Sequence, residues 1–528
     1  MAAGIVIAGV ATIGALAQTS GRGDSELRLR RSTLLDDNRT RARRDERPVG
    51  EVPQFGFPPG AGAGKTGFRS ARTIDRRGAR ARTGTSRIPP APLSLIPPGA
   101  ASGAGAPMAQ HLAQVAATPV RARGASGPVR DVASDPTRPV LPPRRRPPAQ
   151  DDPFEPVGFH VGSFLLRPAI EAVGGYDSNP ARTPGGKGSW FGIAGGELQV
   201  RSEWQRHDFR ADIRGNYTTF ESQSSLDRPF LDARAKARID VIDQTKLELD
   251  GRYVVSTDNP GSPDLPADLA KLPIFTNSGA TAGLVQSFNR FEMALKATYD
   301  HFDYQRSKLA DGTTVSNADR NYDQYGGLVR ASYELFPGVR PFAEVYVDHR
   351  SHELEFDRFG QQRDSDGAAF KVGGVFDLAR TLTGEAAIGY LTRRYDDPSL
   401  EDVRGMLADA ALIWSASALT TVTLKAATTA DESTLPGVSG VLRRDASVQL
   451  DHAWRRWLVS TLKFNYGTDD YHGSPREDDR YTASAVLTYK LSRFAEIKGE
   501  FRREWLRSND PGNDYEVNIG LIGMRWQP

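Results

Sequence analysis

The residues of this chain with the clearest chemical potential are charged side chains that recur at every second position. In residues 231–240, every odd position is apolar and every even position is charged, beginning with Leu231 and Asp232. Successive side chains of a β-strand point to opposite faces, so such a segment has one apolar face and one ionic face. We single out these charged residues as candidates for an ionic lining: Arg210, Asp212, Arg214, Arg234, Lys236, Arg238, Glu248, Asp250, Arg252, Glu496, Lys498, Glu500 and Arg502.

Two different roles are open for these charges. Rows of opposite charge on neighbouring strands could create a transverse field that sorts ions or polar solutes by charge. The same rows could instead pair with one another as a mesh of ion pairs that stiffens the wall or plugs the lumen. The sequence favours neither role over the other.

Other motifs in the chain do not support catalysis or metal binding. His349, His352 and Glu353 resemble a zinc-protease motif, but a spacing of three residues on a strand places the two histidines on opposite faces. The stretch from Gly60 to Thr66 resembles a phosphate-binding loop, but Pro59 occupies the place of its first glycine. The chain has no cysteine, which excludes thiolate chemistry and disulfides. We therefore predict that the protein is not an enzyme and holds no cofactor and no metal.

The alternating segments continue from about Phe164 to the C-terminus, and the chain offers no further layer to cover their apolar faces. In a closed barrel within a membrane, lipid covers the apolar face and water in the lumen covers the charged face. No segment after the N-terminus approaches the roughly 18 continuous apolar residues of a membrane helix. The pattern predicts an all-β fold: a transmembrane antiparallel up-and-down β-barrel in residues 156–528, in the outer membrane of a Gram-negative bacterium.

Breaks between the segments alternate between short and long, which is typical of outer-membrane barrels with short periplasmic turns and longer outer loops. Eight short turns and nine longer loops predict about 18 strands, with 16 as the alternative. Short turns are predicted near residues 205–206, 242–244, 288–289, 336–338, 380–382, 416–418, 455–456 and 491–492. Longer loops are predicted near residues 177–189, 222–227, 257–274, 305–319, 352–365, 397–401, 431–441, 472–477 and 508–513.

Aromatic residues cluster near the ends of the predicted strands, which indicates two girdles at the membrane interfaces. In the last segment the apolar parity changes between Leu521 and Ile522, so we predict a β-bulge there. The predicted girdle residues are Trp190, Trp204, Tyr217, Phe220, Tyr253, Tyr299, Trp454, Trp457, Tyr471, Trp505 and Tyr515.

The region before the barrel has a different composition. Residues 1–17 form an apolar run that ends in Ala15-Leu16-Ala17, the pattern of a signal-peptidase site, although no Lys or Arg precedes Arg22. A true start upstream of Met1 would explain the missing basic segment. Residues 18–155 are rich in Arg, Pro, Gly and Ala, so we predict a disordered basic region. Lys and Arg outnumber Asp and Glu by 24 to 13 in residues 1–155, whereas the acids prevail by 52 to 44 in residues 156–528.

The chain resembles the second family of β-barrel porins of Gram-negative outer membranes. The likeness rests on Arg167-Pro168 followed by Gly175-Tyr176-Asp177-Ser178-Asn179 in the first segment, and it extends from Phe164 to Trp526. The resemblance implies an outer-membrane barrel that carries no catalytic residues. Members of that family are often associated with exopolysaccharide or capsule loci, so it also implies a role linked to polysaccharide export.

Together these features predict a porin-like passive channel for small hydrophilic solutes, or a barrel associated with exopolysaccharide export. The alternative is a non-conducting structural barrel whose basic tail docks on peptidoglycan or a partner. Expected partners are outer-membrane lipid, lipopolysaccharide and the barrel-assembly machinery, with peptidoglycan or polysaccharide as candidates for the basic tail. We expect no nucleic acid as a partner, because the signal peptide and the barrel place the arginine clusters outside the cytosol.

Overall fold

The structure, a computed structural model, describes residues 154, 156–242, 244–266, 269–378 and 381–528. The predicted signal peptide and all but one residue of the predicted disordered region lie outside these residues. The described residues form 22 β-strands and two short 3-10 turns, and no helix among them could cross a membrane.

The strands in chain order are β1 (Phe159–Val161), β2 (Phe164–Asp177), β3 (Ser189–Ser202), β4 (Asp208–Phe220), β5 (Arg228–Ile242), β6 (Thr245–Thr257), β7 (Leu269–Lys271), β8 (Ile274–Phe288), β9 (Phe291–Tyr304), β10 (Ser307–Leu309), β11 (Thr314–Val315), β12 (Tyr322–Tyr333), β13 (Val339–His352), β14 (Ser365–Leu378), β15 (Leu382–Tyr395), β16 (Val403–Trp414), β17 (Thr420–Asp431), β18 (Gly440–Arg455), β19 (Leu458–His472), β20 (Glu477–Lys490), β21 (Ala495–Ser508) and β22 (Tyr515–Trp526).

Eighteen of these strands form one closed antiparallel barrel: β2–β6, β8, β9 and β12–β22. Each barrel strand pairs with the next one along the chain, and β22 pairs with β2 to close the ring. The prediction of 18 strands is confirmed, and the 16-strand alternative is wrong. The predicted turns and loops all fall at the observed breaks, because a change from alternating residues to turn residues is a local signal.

The barrel has the inverted polarity of a membrane protein. On β13, Val345 and Val347 point outward and are about half exposed, whereas Glu344, Asp348 and Arg350 point inward and are buried. Most of the other barrel strands also expose apolar side chains on the outside and carry charges on the inside. Lipid is the solvent that makes such an outer surface stable.

Three of the four strands outside the barrel lie in its long loops. The strand β7, in the loop between β6 and β8, pairs with β10, and β10 pairs with β11 in the next loop. The remaining strand, β1, pairs with residues 164–166 at the start of β2. Two neighbouring long loops are therefore joined by a small sheet of their own.

Two sequence predictions about individual residues are wrong. The register of β22 with both neighbours is continuous, so there is no bulge at Leu521–Ile522. Phe220, Tyr471 and Tyr515 point into the barrel and are buried, so they do not belong to an interfacial girdle. From Tyr515 to Leu521 the inner face of β22 is apolar, because it packs against a loop inside the lumen, as described below.

The strand β17 leaves the barrel wall over its last residues. It pairs with β16 only from Val422 to Ala426, although it pairs with β18 along its whole length. Thr428, Thr429, Ala430 and Asp431 are all buried, regardless of parity. The inward-facing Arg350 donates a hydrogen bond of 3.0 Å to the carbonyl oxygen of Ala430. The long-loop end of β17 therefore lies inside the lumen.

Candidate functional site

All thirteen charged residues singled out in the sequence lie on the inward-facing positions of their strands. Nine of them lie side by side on β4, β5 and β6, and four lie on β21, on the other side of the β22–β2–β3 wall. Within the first group, Arg234 stands opposite Asp212 on one side and Arg252 on the other. The sequence therefore identified two inner patches, which the structure does not bring together.

Part of the inner face of β4–β6 is exposed to the lumen, although Arg214 of the same patch is buried. The side chains of Asp208, Arg234 and Arg238 are 32%, 24% and 30% exposed, although they point into the barrel. Their ion pairs run mainly along one strand, as in Arg210–Asp208 at 2.9 Å and Arg234–Asp232 at 2.9 Å. Since these side chains face inward, the space that exposes them belongs to the lumen.

Two inward-facing positions of β8 beside this patch are glycines, and side chains of β6 and β9 occupy the space next to them. Arg252 stands opposite Gly279, and Glu248 stands opposite Gly283, so the neighbouring strand carries no side chain at either position. Both side chains pair with charged residues of β9, the next strand along. Arg252 pairs with Asp300 at 2.6 Å, and Glu248 pairs with Lys296 at 3.2 Å. Side chains of β6 and β9 therefore meet in front of the two glycines of β8.

The four predicted residues on β21 are buried and belong to a different arrangement. Lys498 reaches Glu171 of β2 at 3.8 Å, and Arg502 lies 3.3 Å from Glu504 on its own strand. Arg525 of β22 crosses the same wall to Glu197 of β3 at 2.7 Å. These contacts tie the last two strands to the first two at the point where the ring closes.

A denser mesh of charges, which sequence reasoning missed, covers the wall from β12 to β16. Arg330 donates two hydrogen bonds to Glu385, at 3.0 and 2.7 Å. Lys371 lies 2.7 Å from Asp409 and 3.5 Å from Glu344. The side chains of Lys371 and Asp409 are 2% and 0% exposed, in contrast to the patch on β4–β6. The alternation in the sequence indicated inward charges here, but not which strands they would join.

Near the long-loop end, the strands around the β22–β2 closure carry apolar side chains on the face that points into the lumen. Val517, Ile519 and Leu521 of β22 form a buried cluster with inward-facing apolar residues of β2, β3 and β4. The cluster is completed by three leucines of the loop between β6 and β8, residues 258–273, which we call the crossing loop: Leu265, Leu269 and Leu272. The crossing loop therefore leaves its own strands and packs on a wall several strands away.

Polar contacts fix the crossing loop at both sides of the lumen. Asp258 pairs with Arg320 at 2.8 Å, and the guanidinium of Arg320 lies 3.9 Å from the centre of the Tyr304 ring. Further along, one carboxylate oxygen of Asp264 accepts hydrogen bonds from the Ser433 hydroxyl at 2.8 Å and from the Thr434 backbone N–H at 2.7 Å. Asp264 thus ties the crossing loop to the loop that follows the inward end of β17.

The neighbouring loops are joined in the same way. Arg358 donates to both carboxylate oxygens of Asp319, at 2.6 and 2.7 Å, and Arg363 donates to Asp357 at 2.6 Å. Glu432 pairs with Arg350 of β13. Burial alone would raise the pKa of Asp319, but its hydrogen bonds and ion pair with Arg358 outweigh this and hold the pKa below its usual value. We call residues 258–273, 305–321, 353–364 and 432–439 together the loop plate.

The histidines of the zinc-protease-like motif lie apart, as their spacing predicts. His349 points outward and contacts Asp366 at 2.9 Å, whereas the His352 side chain is buried and lies 3.2 Å from Asp364. Among the described residues, no group of three or more His, Asp or Glu side chains is placed to hold a metal ion.

Inward charges are thus exposed along one wall, and loops from several strands meet one another at the long-loop mouth. Exposed ion pairs next to water are weak and exchange readily with solute ions. A loop that is held by a few polar contacts can open locally at a modest cost.

Two proteins of Pseudomonas aeruginosa and one of Acinetobacter baumannii are among the solved structures that the chain matches. OccAB4 of A. baumannii is 12% identical, with 69% of this chain and 98% of that chain covered and a TM-score of 0.35. OpdL of P. aeruginosa is 13% identical, with 70% and 99% covered and a TM-score of 0.36. OpdK of P. aeruginosa, solved with vanillate, is 12% identical, with 69% and 99% covered and a TM-score of 0.35.

A search of curated proteins found no match to this sequence. The protein family described as "Putative beta-barrel porin 2" matches residues 152–528, which include every strand of the barrel. With this match, the resemblance noted in the sequence is confirmed. The chain belongs to the beta-barrel porin 2 family, and it is an 18-strand barrel of the Gram-negative outer membrane.

Proposed function

We propose that this barrel is a passive channel for small hydrophilic solutes, in which the water path follows the wall formed by β4, β5 and β6. The observation that carries the proposal is the difference in exposure between inward charges on opposite walls. Arg234 and Arg238 are a quarter to a third exposed, whereas Lys371 and Asp409 are covered. A charge in a water-filled lumen stays hydrated, while a covered charge needs a partner to offset its lost hydration.

In this proposal the two walls have different roles, so both alternatives left open by the sequence apply. The wall from β12 to β16 is a mesh of ion pairs that stiffens the barrel. The wall from β4 to β6 presents cations and anions in alternation to the solute and sets its charge preference. The crossing loop narrows the path at the long-loop mouth, which faces the cell exterior in outer-membrane barrels.

The test is single-channel conductance of the full-length protein in planar bilayers under a salt gradient. We expect steady ohmic steps, and we expect Arg234→Glu combined with Arg238→Glu to shift the reversal potential towards cation preference. The matched control is Arg503→Glu, which changes an arginine on the outer surface of β21. Equal shifts in both variants would refute the assignment of the water path.

The alternative, a non-conducting docking barrel, is favoured by one observation: buried ion pairs hold the loop plate together, and Glu432 of the plate pairs with Arg350 of β13. It predicts a correctly folded protein that gives no current in the same experiment. Export of polysaccharide is a special case of the channel proposal. It predicts that a series of uncharged linear oligosaccharides blocks the current with a strength that rises with chain length.

A further inference from the structure

One edge of β16 lacks a strand partner over its long-loop half. On the β15 side β16 is paired from Val403 to Trp414, but on the β17 side it is paired only from Ala410 to Trp414. The N–H of Ala408 points to the β17 side and donates to the Thr428 hydroxyl at 3.1 Å. Because the N–H direction alternates along a strand, the N–H groups of residues 404 and 406 point the same way. On that side neither residue has a strand partner among the described residues.

The missing partner lies on the lumen side of β16. Ala430 of β17 and Leu442 of β18 stand opposite each other, and both belong to a buried cluster with Leu407, which points inward from β16. A Cβ atom at Gly405, on the same inner face of β16, would overlap the Leu442 side chain. The long-loop ends of β17 and β18 therefore overlap the inner face of β16 instead of continuing the wall beside it. We call residues 427–442 the inner hairpin.

Polar contacts from three other parts of the chain hold the inner hairpin in this position. Arg350 of β13, which is fully buried, donates to the Ala430 carbonyl oxygen at 3.0 Å and pairs with Glu432. Arg363 donates to the Ser433 carbonyl oxygen at 2.7 Å. Asp264 of the crossing loop accepts a hydrogen bond from the hydroxyl of the same serine. The inward position thus depends on buried polar groups as well as on the apolar contact with β16.

The same strands can also pair in a continuous wall. Extending the register that β16 and β17 already share places Met406 opposite Ala430 and Arg404 opposite Glu432. Leu442, which pairs with Ala430 on its other side, would then complete an apolar row towards the lipid. The second pair would bring opposite charges together at the rim, which is favourable across strands. Extended pairing would also satisfy the backbone groups of β16 that point to this side.

We propose that the inner hairpin is a gate, which the structure shows in its closed position, and that it opens by zipping residues 427–432 to residues 404–409. In the closed position the hairpin occupies space in the lumen and is tied to Arg350. In the open position it lies in the wall, and the mouth of the lumen widens. Each position satisfies groups that the other leaves without a partner, which is the condition for a two-state element. The gate rests on the proposed channel function, because it regulates the same lumen.

The test uses pairs of cysteines that each trap one position, in a full-length chain that has no cysteine of its own. The closed pair is Gly405→Cys with Leu442→Cys, since these residues touch in the structure and the shorter side chain at 442 removes the overlap. In the open position two strand spacings, about 10 Å, separate them, which is beyond the reach of a disulfide. The open pair is Met406→Cys with Ala430→Cys. In the closed position these two cannot join, because Met406 is exposed outward and Ala430 is buried on the lumen side.

The first measurement is conductance in planar bilayers after oxidation. We expect the closed pair to lose the full conductance level and to regain it when a reductant is added, whereas the open pair keeps the full level without closures. The matched control is Leu412→Cys with Leu424→Cys, which stand opposite each other on the same two strands in both positions. Its disulfide should leave the conductance unchanged. Equal conductance of the three oxidised pairs would overturn the gate.

The second measurement is the yield of each disulfide on a gel, which needs no current and so separates failure of the gate from failure of the channel. Adding Arg350→Gln should raise the yield of the open pair by roughly tenfold, because it removes the contacts with Ala430 and Glu432. Glu432→Gln, which weakens only one of these contacts, should raise it less. If the control disulfide forms in full but the open pair forms in none of these backgrounds, the proposed movement does not occur. If the open pair forms but the unaltered protein carries no current, the movement stands and the channel proposal fails.

Discussion

Removal of the Asp264 carboxylate should release the crossing loop from its far anchor. In the structure one oxygen of Asp264 accepts three hydrogen bonds, from the Ser433 hydroxyl, the Thr434 N–H and the Thr434 hydroxyl, at 2.8, 2.7 and 3.1 Å. The Asp264→Ala substitution removes all three and leaves their donors inside the loop plate.

The magnitude follows from the kind of contact that is lost. A hydrogen bond to a charged group contributes about 1.5–3 kcal/mol, but three bonds that share one oxygen are not additive. We therefore expect the free energy of local opening to fall by about 2–4 kcal/mol. Since 1.4 kcal/mol is a factor of ten, the population of the open loop should rise by roughly 30-fold to several hundred-fold.

The assay uses the absence of cysteine from this chain, so that an introduced thiol is the only one. Leu272→Cys places that thiol on the buried side of the crossing loop, against the apolar wall. Its rate of reaction with a small cationic thiosulfonate reports the population of the open loop. This rate is expected to rise by the same factor when Asp264→Ala is added.

The matched control is Asp311→Ala in the same background. Asp311 also accepts hydrogen bonds from a backbone N–H and a hydroxyl, but both belong to Thr313 in its own exposed turn. The control should leave the reaction rate of the thiol unchanged. If Asp264→Ala raises the rate by less than about threefold over this control, the crossing loop is not held by this contact, and the reasoning is wrong.

Three further predictions concern other contacts. Burial raises the pKa of Glu432, but Arg350 together with His352, Arg393 and Arg363 outweighs this and holds the pKa below its usual value. Arg358 holds the pKa of Asp319 below its usual value in the same way. Both carboxylates therefore stabilise the loop plate above their unfolded pKa of about 4 and lose this effect as the pH falls through their lower folded pKa. The thiol at position 272 should therefore become more reactive, relative to its thiolate fraction, below about pH 4 but not between pH 8 and pH 5. Gly405→Ala should destabilise the barrel by about 1–3 kcal/mol in urea unfolding, because its Cβ atom would overlap Leu442 of β18, and adding Leu442→Ala should recover part of this loss. An additive effect in the double variant would contradict this contact. Arg443→Gln should cost about 3–5 kcal/mol in the same assay, since it leaves Asp431 and Asp469 without the arginine that lies 2.9 and 2.8 Å from them, whereas Arg455→Gln on the exposed end of the same strand should cost little.

The sequence predicts those parts of this fold that depend on local order. Strand number, the positions of the loops and the inward direction of the charges all follow from a period of two and from turn residues. The sequence placed Phe220, Tyr471 and Tyr515 at the membrane interface, and this prediction fails. These side chains face inward because residues far away in the chain cover them there. For Phe220 and Tyr515 the covering residues include Leu272 of the crossing loop.

The site was less predictable than the fold for the same physical reason. Arg234 and Arg238 could be identified as inward charges, but their exposure depends on where loops from other strands lie. Residues 428–431 read Thr-Thr-Ala-Asp, which has no contrast between alternate positions, so nothing local marks the departure of β17. Inside the lumen the departing end is held by a hydrogen bond from Arg350 to the Ala430 carbonyl oxygen, which joins residues 80 positions apart.

The position of the short strand β1 determines on which side of the membrane the residues just before it lie. Because β1 lies beside the start of β2, the chain enters the barrel at the end that carries the short turns, and the Gly158 N–H bonds to the Pro528 carbonyl oxygen there at 3.2 Å. In an outer-membrane barrel this end faces the periplasm. A tag or a reporter joined just before β1 is therefore shielded from reagents added to intact cells, whereas the same label in residues 353–364 is open to them.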